Sequence, residues 1–211
     1  MKQAANWLGF PWLKPLSGQL PLGLTVQIPW QGTPFSLRAA SSMKGITVDA
    51  PAPLGKSAQA TRPLDIRLSN PGGRLALDME YGGLLRGAFR IDKRVRGDLL
   101  LGSGTLQVPA EGIQVRGRLA NASVEPWIDF IGNRLMPSLN AGSGGGGATA
   151  DASLSKVSLQ VDRRDLFGME VADTRLSVLP AVAGWDMALS SRAVAGSVRI
   201  PDGFTARGEA P

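Results

Sequence analysis

The stretch GITVDAPAPLGKSAQ, residues 45–59, contains Leu54-Gly55-Lys56-Ser57, which is how the tail of a phosphate-binding loop ends. Such a loop wraps an anion in backbone N–H groups. It therefore needs another glycine five positions before Gly55, a strand ahead of it and a helix behind it. Ala50 stands at that position, and Pro51 and Pro53 have no N–H to offer. After Ser57, Ala-Gln-Ala-Thr-Arg-Pro is too short for a helix before the strand-like LDIRLS of 64–69. The stretch reads as an extended, proline-rich connection, and no nucleotide is expected as a partner.

Little else in the chain has the composition of a reacting site. There is no cysteine and no histidine, which removes disulfides, thiolate nucleophiles, imidazole triads and zinc sites with His ligands. Aspartates such as Asp65, Asp98 and Asp186 are scattered over polar strand faces and turns and are expected to be solvated. No HExxH, DxDxDG or GxSxG arrangement is present. The expectation is a chain without catalytic residues, metal or cofactor.

The charge of +6 comes from 23 basic and 17 acidic residues, interspersed rather than gathered into a block, so nucleic acid is not an expected partner. No uninterrupted apolar run approaches the ~18 residues of a membrane-spanning helix. The opening MKQAANWLGFPWLKP is cut by Asn6, Pro11 and Lys14 and does not read as a signal peptide; it looks like a start inside a longer protein.

What would position any binding surface is a set of strands. With 27 glycines, 15 prolines and 6% aromatic residues in 211, the chain suits many short strands with frequent turns. Alternation at period two dominates. It sets Leu22, Leu24, Val26 and Ile28 against Gly23, Thr25 and Gln27, and Leu64, Ile66 and Leu68 against Asp65 and Arg67. It also sets Phe89 and Ile91 against Arg90, Val115 against Arg116, and Val198 and Ile200 against Arg199. Shorter segments DLLL and GTLQVP lie between. Tyr81, the one tyrosine, falls on an apolar strand side as a core or rim residue. Over about 123–136, Val124, Trp127, Ile128, Ile131 and Leu135 recur at helical spacing after the cap Ser123, predicting a short amphipathic helix.

Three segments follow: a β segment over 1–140 ending in that helix, a flexible glycine-rich loop at 141–150, and a second β segment over 151–211 that continues the same sheet. The fold class is mainly β. An elongated, curved antiparallel sheet forming a groove or half-pipe is expected, with a two-layer β-sandwich as the alternative. The groove would expose Leu24, Val26, Ile66, Phe89, Val115 and Val198; the sandwich would bury them against a second sheet.

GITVDAPAPLGKSAQATRPLDIRL resembles the hallmark segment of the AsmA-like, YhdP-type envelope proteins of Gram-negative bacteria, in which a strand runs into PAPLGK and is followed by a proline and another strand. YGGLLRGAFRID at 81–92, VRGRLANASVEPWIDFI at 115–131, VSLQVDRRDLFGMEVADTRL at 157–176 and GWDMALSSRAVAGSVRIP at 184–201 add to the likeness. The resemblance implies a periplasmic β groove, tethered to the inner membrane through a part absent from this chain, that helps phospholipids cross between the membranes. Its partners would be phospholipid acyl chains and the rest of a longer envelope protein, including a membrane-anchored N-terminal portion. Within the motif, Pro51, Ala52, Pro53, Leu54, Gly55 and Lys56 are assigned to a structural connection. Lys56 is expected at a sheet edge or in solvent, with contact to a phosphate as the lesser alternative. The rival to lipid transport is a structural or protein-interaction β module of an envelope assembly that does not touch lipid.

Overall fold

Runs in which every second residue is apolar become strands, separated by glycine-rich or charged turns. The computed structural model describes residues 16–18, 21–28, 34–121, 126–127, 154–166, 169–192 and 195–201. Within them the strands are β1 (Leu16–Gly18), β2 (Gly23–Gln27), β3 (Ser36–Ser41), β4 (Ile46–Val48), β5 (Leu64–Ser69), β6 (Leu75–Tyr81) and β7 (Leu85–Ile91). They continue as β8 (Val95–Leu101), β9 (Ile113–Asn121), β10 (Leu154–Leu166), β11 (Met169–Ala181), β12 (Gly184–Ser190) and β13 (Ala195–Pro201). β1 and β4 pair as a small ribbon. The other eleven form one open, curved sheet in the order β13-β12-β11-β10-β9-β8-β7-β6-β5-β3-β2, so the single-sheet architecture is the one adopted and the sandwich is not.

The sheet is mixed rather than purely antiparallel, because β8–β9 and β9–β10 run parallel. Parallel neighbours need a connection long enough to return the chain to its starting end. Residues 102–112 and 122–153 are those connections, whereas 82–84 and 92–94 are hairpin turns. GTLQVP consequently adds no strand; it belongs to the first crossing. Of the expected helix only Pro126 and Trp127 lie within the described residues, and both are helical there. The glycine-rich 141–150 lies outside them.

The crossing at 102–112 corrects the reading of Asp98 as a solvated carboxylate, for Asp98 is fully buried. It accepts hydrogen bonds from Arg116 Nε (3.0 Å) and Nη2 (2.6 Å) and from the Gln107 N–H (2.6 Å). Arg116 also donates to the Thr105 carbonyl, which ties the crossing to the polar face. A buried charge is tolerated when it is paired and hydrogen-bonded in this way, and Asp98 in turn holds the Arg116 guanidinium above its usual range.

Paired residues point to the same side of a sheet, so register decides which face each row joins. One row runs Leu24, Ala39, Ile66, Met79, Gly87 and Leu99 from β2 to β8. It continues through Val115, Val157, Val178, Met187 and Val198 to β13 without a polar interruption. A neighbouring row takes Val26, Leu37, Leu68, Leu77, Phe89 and Gly97. At strand spacings near 4.8 Å, such a row is about 48 Å long across eleven strands. The opposite face carries cross-strand ion pairs, among them Arg90–Asp78 (3.2 Å), Arg118–Asp162 (2.7 Å) and Arg199–Asp186 (2.7 Å).

Candidate functional site

The six residues singled out from alternation, Leu24, Val26, Ile66, Phe89, Val115 and Val198, all lie on the apolar face, in two adjacent rows. Their environments differ. Leu24, Val26 and Val198, near the ends of the sheet, are 58%, 49% and 57% exposed. Ile66 and Val115 are half-buried. Phe89 is buried because its ring fills the space left by Gly97, its partner on β8, and by Gly87, two residues back on its own strand. A Cβ on Gly97 would lie 2.4 Å from the ring and one on Gly87 3.0 Å from it. An aromatic covering bare glycine backbone keeps the floor continuous where side chains are missing.

The middle of the face has a partial roof, made by the chain between β3 and β5. Met43 and Ile46 are buried against Tyr81, with Leu64 and Leu85 beside them. Leu54 touches that cluster and also the larger one formed by Leu101, Leu119, Trp127 and Leu159 with their neighbours on β10 and β11. The roof sits over the strand ends at one lip of the sheet, where Tyr81, Leu85 and Leu101 form a row.

PAPLGK is the centre of this roof, folded as a compact turn rather than as the extended connection expected. The N–H groups of Leu54 and Gly55 donate to the Pro51 carbonyl at 2.9 and 3.2 Å. The Lys56 N–H donates to Val48 O at 3.1 Å. The turn's carbonyls point outward and are gathered by the sheet side. Trp127 Nε1 donates to Ala52 O (3.1 Å), and Tyr81 Oη donates to Leu54 O (3.1 Å). Arg62 Nη1 donates to Pro53 O (2.7 Å), Leu54 O (2.8 Å) and Gly55 O (3.2 Å). The Arg62 guanidinium also lies 5.3 Å from the Tyr81 ring centre. Gly55 is required by close approach, since a Cβ there would come within 2.1 Å of Ala50 O.

The backbone of Lys56 does bridge the edge of the small ribbon, opposite Val48 of β4, but its side chain is not in solvent. It is buried, and its ammonium donates to the carbonyls of Ile46 and, at 2.9 Å, of Ser57. Burial first, and the Arg62 charge second, hold its pKa below the ordinary lysine range. Burial likewise pushes the Tyr81 hydroxyl up, opposed by Arg62. The turn thus presents carbonyl oxygens to hydrogen-bond donors and spends its N–H groups on backbone carbonyls, the reverse of an anion cradle.

Sequence reasoning missed Arg62, which collects three carbonyls, and Asp98, whose burial depends on a crossing that alternation cannot foresee. It also did not see that Trp127 and PAPLGK, 75 residues apart, meet. Among the described residues no helix is long and apolar enough to cross a membrane. A family model described as YhdP protein matches residues 1–208. No curated protein and no solved structure matches the chain.

Proposed function

The chain belongs to the YhdP family, and on that premise we propose that it is a non-enzymatic segment of a periplasmic lipid path. In this reading its apolar face helps phospholipids pass between the inner and outer membranes. The observation that carries the reading is the row from Leu24 to Val198, apolar or glycine at every strand and exposed at both ends. An acyl chain laid on such a row gains about 0.8 kcal/mol for each CH₂ removed from water. The row is open at Leu24 and Val198 and covered at Val157 and Val178, 4% and 6% exposed, so in this reading acyl chains rest on its open stretches, and no reaction, cofactor or nucleotide is called for. The membrane tether and the rest of the path belong, in this proposal, to a longer envelope protein.

Photo-crosslinking tests it. A crosslinking residue at Ile66 or Val198, in the protein expressed in Gram-negative cells, is expected to capture phospholipid; one at Thr25 or Arg199 on the polar face is not. Capture of protein alone at Ile66 and Val198, or equal lipid from both faces, overturns the proposal. The first outcome would favour a bracing module, a reading supported by the interior-like burial of Leu101 and Val157 at 2% and 4% exposure.

A further inference from the structure

The two lips of the trough are chemically different. One is the roofed lip, where β3 leaves at Ser41 and β5 begins at Leu64. The other carries the hairpin turns 70–74 and 92–94, which bring Arg74, Lys93 and Arg94 to the ends of β6, β7 and β8, all three exposed. At those same strand ends Leu75, Ile91 and Val95 are paired in register on the apolar face. Strand spacing puts the two turns about 10 Å apart, within joint reach of two long basic side chains.

The acidic groups on this lip offset only part of its basic charge. Asp92 accepts the Arg94 N–H and Arg96 Nη2, each at 3.1 Å, and its carboxyl is held below the usual range first by that N–H and then by Arg96, with Arg74 also contributing. Glu111 lies 3.7 Å from Arg94, both side chains being largely in water. Arg74 and Lys93 make no ion pair among the described residues. Gly72 and Gly73 leave the space beside Arg74 open.

We propose that this lip holds the phosphate of an anionic phospholipid, with Arg74 and Lys93 as the binding cations and the acyl chains on the rows that begin at Leu75, Ile91 and Val95. The inference rests on the lipid reading above and adds the side from which head groups project. The occupant follows from complementarity, because two exposed cations, neither in a close ion pair among the described residues, border an apolar floor, and a phosphodiester on two acyl chains matches both. A single-stranded nucleic acid would instead call for exposed aromatic platforms beside the charge.

The test uses the full chain with a photo-crosslinker at Ile66, incubated with phosphatidylcholine vesicles doped with labelled phosphatidylglycerol or labelled diacylglycerol. Arg74→Glu/Lys93→Glu is expected to lower phosphatidylglycerol capture about tenfold while diacylglycerol capture stays within about twofold, since charge reversal removes charge-assisted contacts and leaves the floor intact. Lys44→Glu/Arg192→Glu, the same charge change at the roofed lip, is expected to alter neither. Unchanged phosphatidylglycerol capture in the first variant, or an equal loss in both variants, overturns the lip assignment alone. If the unsubstituted lip captures neither lipid at Ile66, the groove reading falls and the lip assignment with it.

Discussion

The roofed middle of the sheet and its bare flanks have the same strand pattern and opposite environments. Leu101 on β8 and Leu24 on β2 are each apolar residues in alternating strands, yet Leu101 is 2% exposed and Leu24 58%. The difference comes from what lies above them. Over β5–β9 the segment containing β4 and PAPLGK closes on the face through Met43, Ile46 and Leu54, and Trp127 fastens it by a hydrogen bond to Ala52. One-sided alternation therefore specifies a sheet with a greasy face, and whether that face is core or surface is decided by distant chain. In this protein both outcomes occur on one sheet, so close packing and open apolar surface reside in different strands.

The largest expected effect separates the two regions directly. Leu101→Ala should cost about 2–5 kcal/mol, the range for emptying a buried leucine site, whereas Leu24→Ala should stay within about 0.5 kcal/mol, as surface changes do. Denaturant midpoints of the two variants would measure the contrast; similar losses would mean that the flank is covered in solution. A smaller effect divides the roof itself. Lys56→Met leaves the carbonyls of Ile46 and Ser57 without their donor and should cost about 1–3 kcal/mol, while Lys44→Met, at an exposed position of the same segment, should cost little. Equal melting temperatures for the two would show that the buried ammonium does not hold the roof.

The smallest effect belongs to the polar face. Hydrogen bonds from Arg38 to Asp65 and from Arg199 to Asp186 are the first causes holding both carboxyls below their ordinary value of 3.8. Groups with depressed folded-state values stabilise fully above the unfolded value and lose that contribution as pH falls through the folded one. Asp65→Asn/Asp186→Asn should thus be slightly less stable than the unsubstituted chain near neutral pH, with the difference fading as pH falls below 3.8. Unfolding curves across the acid range check it, and a constant gap would show that the two pairs do not titrate with folding.

Period-two alternation was sufficient to identify most strands and their apolar side, because a side chain's face depends only on its own backbone parity, but it left the single curved sheet and the sandwich both open. Leu24, Ile66, Val115 and Val198 could be assigned to one face without a structure for that reason. Their alignment into one continuous row could not, since it depends on register across the ten neighbouring strands. The likeness around PAPLGK was enough to suggest the family, which the match over residues 1–208 shows. The conformation of that motif was not legible. Its prolines suggested an extended run, but the turn depends on Arg62, Tyr81 and Trp127 collecting its carbonyls, and the last of these is 75 residues away. Asp98 and Lys56 were misjudged on the same ground. A charged side chain on a strand or loop is solvated by default, and only a segment folding over it from elsewhere supplies the partners that make its burial tolerable.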